Sequence, residues 1–421
     1  MLLRNLLTSF VWNSLMGRSG RRLRRRHPVV TPISPAAQLL ERRQMLSNAN
    51  VNLSVVAGAI TLTATDSGDH GVDVNRADPT NVAFHPGFGT QITYLGVVHT
   101  SPFNVAIPAV ASVGVNLGTG FDTYDIDNLS TSGNITFQRN AAGLGANVEI
   151  TSEGADMVVG GSVIFNVGNQ NGRSSFQEIL VDNSGNLTIN GTVQVNESGP
   201  GFDETEITTE QTGNLLVGGS VLITKSGAGE TNNTISTAGS GNETINGSVS
   251  INDSGSGSHI ALGGDFQESS TKLTVGGPVL IVTGAGTDDL EIGEALFRST
   301  VTINTGTNPT ATAQSDFIDI AASEFDRRLN IIMLGANAEI DVGLQLGLPP
   351  TVFNRRVSVS MNGPGATIFL SNKSDSGTPV AFNSRFKVVG GSGGAPAGTL
   401  FVDGPVHFAS PPKLVNFARV G

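Results

Sequence analysis

Three arginines recur at one position of a repeating sequence pattern. Arg328, Arg356 and Arg385 are spaced 28 and 29 residues apart, and each directly precedes the first apolar residue of a short β-type segment. A guanidinium group presents its N–H donors in a planar fork that matches carboxylates and other oxyanions. If the repeats stack, the three groups form a ladder that suits an anionic glycan or an acidic neighbouring protein. The alternative is a solvated basic face that pairs with local acids such as Glu324 and Asp326.

Clustered carboxylates are the second candidate for chemistry. Two acids at a suitable separation can hydrolyse a glycosidic bond, and acids crowd two stretches of this chain. The residues are Asp288, Asp289, Glu291, Asp316, Asp319, Glu324 and Asp326. Because the chain carries 35 acids, such pairs also arise without a catalytic role. We therefore predict no catalytic residue and expect that the protein is not an enzyme.

Two short stretches match the core of a calcium-binding nonapeptide repeat. GTGFDTY (118–124) and GAGTDDL (284–290) both match Gly-x-Gly-x-Asp-x-apolar. Such sites need tandem nine-residue repeats, because each ion is held between successive turns. Here the corners lie about 28 residues apart, far more than one nonapeptide. We therefore interpret the aspartates as caps of backbone N–H groups, and we predict no metal and no cofactor, with calcium as the alternative.

Composition excludes several further kinds of site. The chain has no cysteine, so disulfides, thiolate metal sites and cysteine nucleophiles are ruled out. None of the six histidines, at positions 27, 70, 85, 99, 259 and 407, forms an i,i+2 or i,i+4 pair. Neither a nucleophile elbow nor a phosphate-binding loop with lysine is present.

The elements that would position these residues form an internal repeat. Apolar residues begin eleven segments, at positions 135, 163, 193, 221, 249, 279, 301, 329, 357, 386 and 406, and another apolar residue follows two positions later in each. A third apolar column, from Val159 to Val402, stands four residues before the first. Gly-Gly or Asn-Gly separates these columns in five units, which we interpret as corners where positive φ is tolerated. Gly-x-Gly then follows the segment in several units.

Three strand-sized pieces and three corners in each unit predict an all-β fold. We expect a right-handed parallel β-helix, or β-solenoid, of about 28–30 residues per coil, a period too short for propeller blades. One coil cannot bury its own apolar face, so stacking must do so. Eleven coils would then give columns of apolar residues about 4.8 Å apart.

The pattern divides the chain into four parts. Residues 48–130 fit the period poorly and predict an N-terminal β cap with irregular first coils, starting with a hairpin in VNLSVVAGAITLTAT (51–65). Residues 131–410 hold the solenoid repeats, and 411–421 are expected to be a C-terminal tail. Residues 1–47 form a basic leader, too short and too interrupted in its apolar part to span a bilayer.

Charge is distributed unevenly between the leader and the rest of the chain. Residues 1–47 carry nine arginines and one glutamate, so the remainder has a formal net charge of −19, against −11 for the whole chain. The arginine run at 21–26 contains no aromatic residue. An acidic body with a basic leader argues against nucleic acid as a partner.

The end of the leader, LLERRQMLS (39–47), resembles a motif of large exported proteins of planctomycetes and related bacteria. Those proteins begin with an Arg-rich stretch that ends in a motif of the type Leu-Glu-Pro/Asp-Arg-x-Leu/Met-Leu-Ser/Ala. Leu40, Glu41, Arg43 and the closing Met45-Leu46-Ser47 fit it, whereas Arg42 stands where Pro or Asp is usual. The resemblance implies export, and the Gly/Asn/Thr-rich body is similar to the β-strand repeats of the same proteins.

These observations favour a non-enzymatic, adhesin-like or structural β-solenoid of the bacterial cell surface or extracellular matrix. Its expected partners are extracellular polysaccharide or other surface proteins, without nucleic acid and without a transmembrane segment. The alternative is a polysaccharide-active lyase or hydrolase, since parallel β-helices also carry such enzymes. A cleft of converging charged groups would favour the enzyme, and evenly distributed polar ladders would favour the structural protein.

Overall fold

Short strands joined by Gly- and Asn-containing corners make up the chain in the computed structural model. The structure describes residues 49–420 except 88, 140–142, 169–173, 265–271, 307–315, 344–347, 372–378 and 392–397. The leader, 1–47, and its motif at 39–47 lie outside the described residues. Strands account for 64% of the described residues, and none of these residues is in a helix. The expected all-β class is therefore confirmed.

Three sheets run along the molecule. Sheet A has 16 strands: β1 (Ala49–Val56), β2 (Ala59–Ala64), β5 (Thr90–Tyr94), β6 (Val97–His99), β8 (Ser112–Leu117), β10 (Ile135–Arg139), β13 (Val163–Gly168), β16 (Val193–Ser198), β19 (Val221–Lys225), β22 (Val249–Asp253), β25 (Val279–Val282), β28 (Val301–Thr305), β31 (Leu329–Met333), β34 (Val357–Met361), β37 (Phe386–Gly390) and β40 (Lys413–Val415).

Sheet B has 15 strands: β3 (Gly71–Asp78), β4 (Asn81–Pro86), β7 (Phe103–Ala106), β9 (Phe121–Asp127), β11 (Gly145–Glu153), β14 (Ser175–Asp182), β17 (Asp203–Gln211), β20 (Thr231–Gly239), β23 (Ser258–Gly264), β26 (Asp289–Gly293), β29 (Phe317–Ala321), β32 (Glu339–Val342), β35 (Ala366–Leu370), β38 (Gly398–Val402) and β41 (Phe417–Val420). Sheet C has 10 strands: β12 (Met157–Val159), β15 (Asn186–Ile189), β18 (Asn214–Val217), β21 (Asn242–Ile245), β24 (Lys272–Val275), β27 (Ala295–Phe297), β30 (Glu324–Phe325), β33 (Thr351–Phe353), β36 (Val380–Phe382) and β39 (Val406–Phe408).

Each coil contributes one strand to sheets A, B and C in turn, and neighbouring coils pair in parallel. In β19, Val221 is aligned with Val193 and Val249 of the adjacent coils, and Ile223 lies in the next inward column. Val221 and Ile223 are 0% and 1% exposed. The molecule is a parallel β-solenoid of about nine turns, so the predicted fold and register are confirmed here.

The prediction for the last unit of the repeat is wrong. Val406 was expected to follow Phe386 in sheet A, but it pairs with Val380 in sheet C. Val402, expected in the third apolar column, belongs to sheet B and pairs with Leu370. The reason is spacing: this unit is shorter than the others, so apolar residues of a different strand fall at the expected interval. The structure has about nine turns, fewer than the eleven coils expected.

Residues 411–421, expected to be a tail, instead contribute strands to the solenoid. β40 pairs with β37 in sheet A, and β41 pairs with β38 in sheet B. Phe417 is 8% exposed and joins the hydrophobic core. These strands are only three and four residues long, so their apolar residues are too few to reveal a period in the sequence.

The N-terminal part is a cap that merges with the first coil. The predicted hairpin is present: β1 and β2 pair in antiparallel fashion, and Ala57 and Gly58 between them have φ values of 49° and 81°. Two positive φ values in a two-residue loop match the twist of a hairpin. β2 then pairs in parallel with β8, which pairs with β10. The cap is thereby joined to the stack by continuous hydrogen bonding.

Glycine at the corner before sheet A is required by close stacking rather than by backbone angle. The Gly-Gly and Asn-Gly corners were interpreted as sites of positive φ, but their glycines do not have positive φ. A Cβ atom on Gly219, Gly247 or Gly277 would lie 2.6, 2.4 or 2.5 Å from the carbonyl oxygen of the glycine one coil earlier. Any side chain would therefore separate the coils at this corner.

Candidate functional site

The predicted arginine ladder occupies one column of the solenoid. The carbonyl oxygens of Arg328, Arg356 and Arg385 each accept a hydrogen bond from the N–H group that begins the sheet A strand of the preceding coil, at 2.9, 3.2 and 3.0 Å. These bonds place the three residues at equivalent positions in consecutive coils, about 4.8 Å apart. All three side chains are exposed. The geometry expected from the sequence spacing is therefore present in the backbone.

Further arginines enlarge this column into a basic surface. A shallow depression beside it is lined by Arg298, Arg327 and Arg355, together with Asp326 and Asn354. We call the arginines of the column and of the depression the basic patch. Its members are Arg298, Arg327, Arg328, Arg355, Arg356 and Arg385.

The acids closest in sequence to the basic patch accept hydrogen bonds from an amide group and form no ion pairs with the arginines. The Asn354 side-chain amide donates to Glu324 Oε1 at 2.9 Å and to Asp326 Oδ1 at 3.2 Å. Among the described residues, no ion pair joins an arginine of the patch to a carboxylate. The pairing of arginines with Glu324 and Asp326 that the sequence left open is therefore not formed, and the guanidinium groups are accessible to an external anion.

The outer face of sheet B carries the opposite charge. Asp73, Asp125, Glu149, Glu178 and Glu206 are aligned across five successive strands. Their Cα atoms therefore follow each other at about 4.8 Å. We call these five residues the acidic row. The acidic row was not apparent from the sequence because the strands of sheet B follow corners of variable length.

Burial and mutual repulsion make the acidic row hard to ionise. Partial burial, followed by the charges of Glu149 and Asp127, raises the pKa of Asp125 to about 10. Burial and the charges of Glu204 and Glu210 raise the pKa of Glu206 to about 7. The pKa of Glu178 is raised well above its usual value for the same reasons. Near neutral pH the row is therefore only partly charged.

One end of the acidic row gathers three carboxylates. Asp73, Asp125 and Asp127 each offer an oxygen atom, and these atoms lie within 4.8 Å of one another. Carboxylate oxygens are the ligands that Ca²⁺ prefers. Asp127 also lines a groove of the cap with Arg76, His85 and Glu153. This cluster, and not a Gly-x-Gly-x-Asp corner, is the place in the described chain where carboxylates come closest to a cation-binding arrangement.

The aspartates of the two Gly-x-Gly-x-Asp corners point into the solenoid. Asp288 accepts hydrogen bonds from the Ser258 N–H group at 3.1 Å and from the Thr283 hydroxyl. Asp122 contacts His70 Nδ1 at 2.7 Å and Arg139 at 3.1 Å. Both aspartates are 0% exposed. At Asp288 the carboxylate caps a backbone N–H group, as the sequence interpretation proposed, whereas Asp122 pairs with charged side chains.

The seven clustered acids do not converge on one site. Asp288 and Asp316 are buried in the interior, whereas Asp289, Glu291 and Asp319 lie in outward-facing columns of sheet B. The remaining two, Glu324 and Asp326, lie at and beside β30 of sheet C. The pattern in the sequence brought together residues that the coil separates onto different faces.

A row of charged residues inside the solenoid escaped the sequence analysis. Glu197, Lys225 and Asp253 are aligned in consecutive sheet A strands, and all are at most 3% exposed. Lys225 forms an ion pair with Asp203 of sheet B, across the corner between the two sheets. We call these four residues the interior polar row. Each of the three in sheet A stands four residues after the first apolar column, so alternation alone places it on the inner face.

No family model, curated protein or solved structure matches this chain. Within the part of the chain that the structure describes, no helix is long and apolar enough to cross a membrane.

Proposed function

We propose that the protein is a non-enzymatic β-solenoid of the bacterial cell surface or extracellular matrix, and that its basic patch binds an anionic glycan. The observation that carries this proposal is the stack of exposed Arg328, Arg356 and Arg385, which have no ion-pair partner among the described residues. A linear polyanion repeats its charge at regular intervals, and the ladder repeats its donors about every 4.8 Å.

The charge of the rest of the chain limits the affinity. Outside the leader the formal net charge is −19, so a polyanion is repelled from most of the surface. Attraction is confined to the basic patch, where exposed charges are screened over about 8 Å at physiological ionic strength. Binding is therefore expected to be weak and to decrease with added salt.

A separate observation favours the enzymatic alternative. The cap groove brings together Arg76, His85, Asp127 and Glu153, the kind of convergent charged groups that a polysaccharide lyase or hydrolase needs. Asp127 also belongs to the three-carboxylate cluster. Release of unsaturated or reducing-end products from a polyuronate by the purified protein, lost on Asp127→Asn, would favour this alternative over the structural role.

The glycan proposal is tested by calorimetric titration of the full chain with sulfated and uronic-acid polysaccharides. We expect binding that is lost when Arg328, Arg356 and Arg385 are all replaced by Ser. Ser162, Ser220 and Ser248 already occupy this column in other coils, so the free energy of unfolding should change by less than about 0.5 kcal/mol per site. Raising the salt concentration should weaken the wild-type binding.

The matched control removes two exposed cations outside the patch. Lys413→Ser with Arg419→Ser lowers the net charge without touching the ladder, and both residues are exposed. This variant should retain most of the binding. Binding that persists in the triple variant at high salt would place the site elsewhere, and absence of binding by the wild type to any of the polyanions would contradict the proposal.

A further inference from the structure

Lys225 is a lysine that the fold buries completely. It lies at the end of β19, with 2% of its surface exposed, and its side chain points into the solenoid. The Nζ atom contacts Asp203 Oδ2 and lies 3.4 Å from the Gly201 carbonyl oxygen. Asp203 is 1% exposed. An amine and a carboxyl group are therefore held in contact in a place from which water is excluded.

A second carboxyl group stands beside this pair. Glu197 is aligned with Lys225 in the preceding strand, is 3% exposed, and accepts a hydrogen bond from the Thr205 hydroxyl at 3.2 Å. Thr205 is two residues after Asp203 in β17, so both belong to the same inward face of sheet B. The arrangement joins a buried amine and a buried acid in contact with it, while Glu197 lies beyond ion-pair distance of the amine.

We propose that Lys225 and Asp203 form an intramolecular isopeptide bond. The Lys225 Nζ–Asp203 Cγ bond forms and the Cγ–Oδ2 bond breaks. Oδ2 leaves as water, and its two hydrogens come from the lysine amine and from the carboxyl group of Asp203. The proton on the attacking nitrogen passes to the departing Oδ2, with which the amine is in contact. No oxidant or co-reactant is needed, and one water molecule is lost.

The electrostatics of the site favour the neutral amine that this step requires. Burial lowers the pKa of Lys225, against the opposing charges of Glu197 and Asp253, and so favours the free amine, which is the nucleophile. Burial raises the pKa of Glu197 to about 7, so its charge holds the lysine proton only weakly near neutral pH. In water the ionised pair would be stable and unreactive.

Asp203 is the acceptor because the third nearby acid, Asp253, is engaged elsewhere. Asp253 Oδ1 accepts the Gly255 N–H group at 2.8 Å, and Oδ2 accepts the Thr231 hydroxyl. Both oxygens of Asp253 therefore already have donors. Asp203 Oδ2 accepts no hydrogen bond from any other described group. The proposal concerns how the solenoid is held together and is independent of glycan binding.

Mass spectrometry of the full chain tests the bond directly. The wild type should be lighter than its sequence mass by about 18 Da, one water molecule, and trypsin should fail to cleave after Lys225. Lys225→Arg and Asp203→Ala should both keep the full mass. Asp203→Asn should lose about 17 Da, because the leaving group is then ammonia.

Lys413→Arg, an exposed lysine substitution, is the matched control and should leave the loss of water unchanged. Normal tryptic cleavage after Lys225, in wild-type protein that had folded before it was prepared for the digest, would overturn the proposal. So would a loss of water that survives Lys225→Arg, since a dehydrated aspartate elsewhere would then be its source. Because the Asp203→Asn variant gives its own mass signature, the test does not depend on whether the alanine variant folds.

Discussion

The middle and C-terminal coils share one backbone plan and fill it differently. In the middle coils the corner between sheets A and B holds charged side chains, among them the interior polar row and, further along, Asp288 and Asp316. In the C-terminal coils, sheet C contributes a stack of phenylalanines with ring centroids 5.0, 5.0, 4.8 and 5.1 Å apart. Its members are Phe297, Phe325, Phe353, Phe382 and Phe408.

This contrast shows that strand pairing determines the shape of the coil, whereas the inward side chains determine which substitutions destabilise it. A phenylalanine in a stack needs only a neighbour of similar size, and offset aromatic stacking adds to its apolar burial. A buried charge needs a specific partner, and it destabilises the fold when that partner is missing. The same position in neighbouring coils can therefore tolerate substitution very differently.

The largest expected effect comes from placing an unpaired charge among purely apolar neighbours. Ile223→Asp removes an aliphatic side chain and buries a carboxylate without a cation, so we expect a loss of more than about 5 kcal/mol in the free energy of unfolding. Urea denaturation followed by circular dichroism measures it. Thr224→Asp, one residue along on the exposed face, should change stability by less than about 0.5 kcal/mol. Equal stability of the two variants would refute the inward register of β19.

The aromatic stack should be the next most sensitive feature. Phe325→Ala opens a cavity between Phe297 and Phe353, and we expect it to lower the free energy of unfolding by about 3–5 kcal/mol. The control is Phe369, which stacks on Phe401 at 4.9 Å but lies on the outer face of sheet B. Phe369→Ala should cost less than about 1.5 kcal/mol, the worth of an aromatic pair beyond burial. Similar losses for both would mean that the inner stack is not the source of stability in this region.

The smallest expected effect comes from replacing a buried acid that has no hydrogen-bond partner among the described residues. This change should raise the free energy of unfolding, whereas the previous ones lower it. Glu243 is 0% exposed, lies between Leu215 and Leu273 in sheet C, and neither of its carboxylate oxygens has a hydrogen-bond partner among the described residues. Glu243→Leu continues the apolar column, and we expect it to stabilise the protein by about 1–3 kcal/mol near neutral pH.

The stability of the wild type should fall as the pH rises, because of Glu243. Burial raises the folded-state pKa of Glu243 well above its usual value, so the unfolded chain releases this proton first as the pH rises. The stability that protonated Glu243 contributes is complete below about pH 4.3, the pKa of this group in the unfolded chain. It is lost progressively as the pH rises above that value. Wild-type stability at pH 8 relative to pH 4 should therefore fall by more than that of Glu243→Gln, which does not titrate. Parallel pH profiles would mean that Glu243 reaches solvent.

The sequence predicted the parts of the fold that keep a fixed spacing. The arginine ladder stands one residue before an apolar column, so aligning the column aligned the arginines as well. The acidic row has no such anchor: Glu149, Glu178 and Glu206 stand 14, 15 and 13 residues after the first apolar residue of their coils. Corners of varying length therefore hide a column that strand pairing then makes regular.

The interior polar row was missed for a different reason. Its members in sheet A have the inward parity of the two apolar columns, but the columns were identified from apolar residues alone. Alternation was the better guide, because a strand cannot turn a single side chain to the other face without a bulge. A charged residue that keeps the parity of a buried column indicates an interior partner, here Asp203 for Lys225.

The carboxyl groups of the acidic row titrate together. Its carboxyl groups are spaced closely enough that each ionisation hinders the next, so the row titrates as a broad band shared by all five groups and not as five separate steps. Such a row regulates its own charge. Beside a cationic surface it releases protons and becomes more negative, and beside another anionic surface it takes up protons and becomes nearly neutral. The same face of sheet B can thus approach neighbours of either sign without a change in backbone conformation.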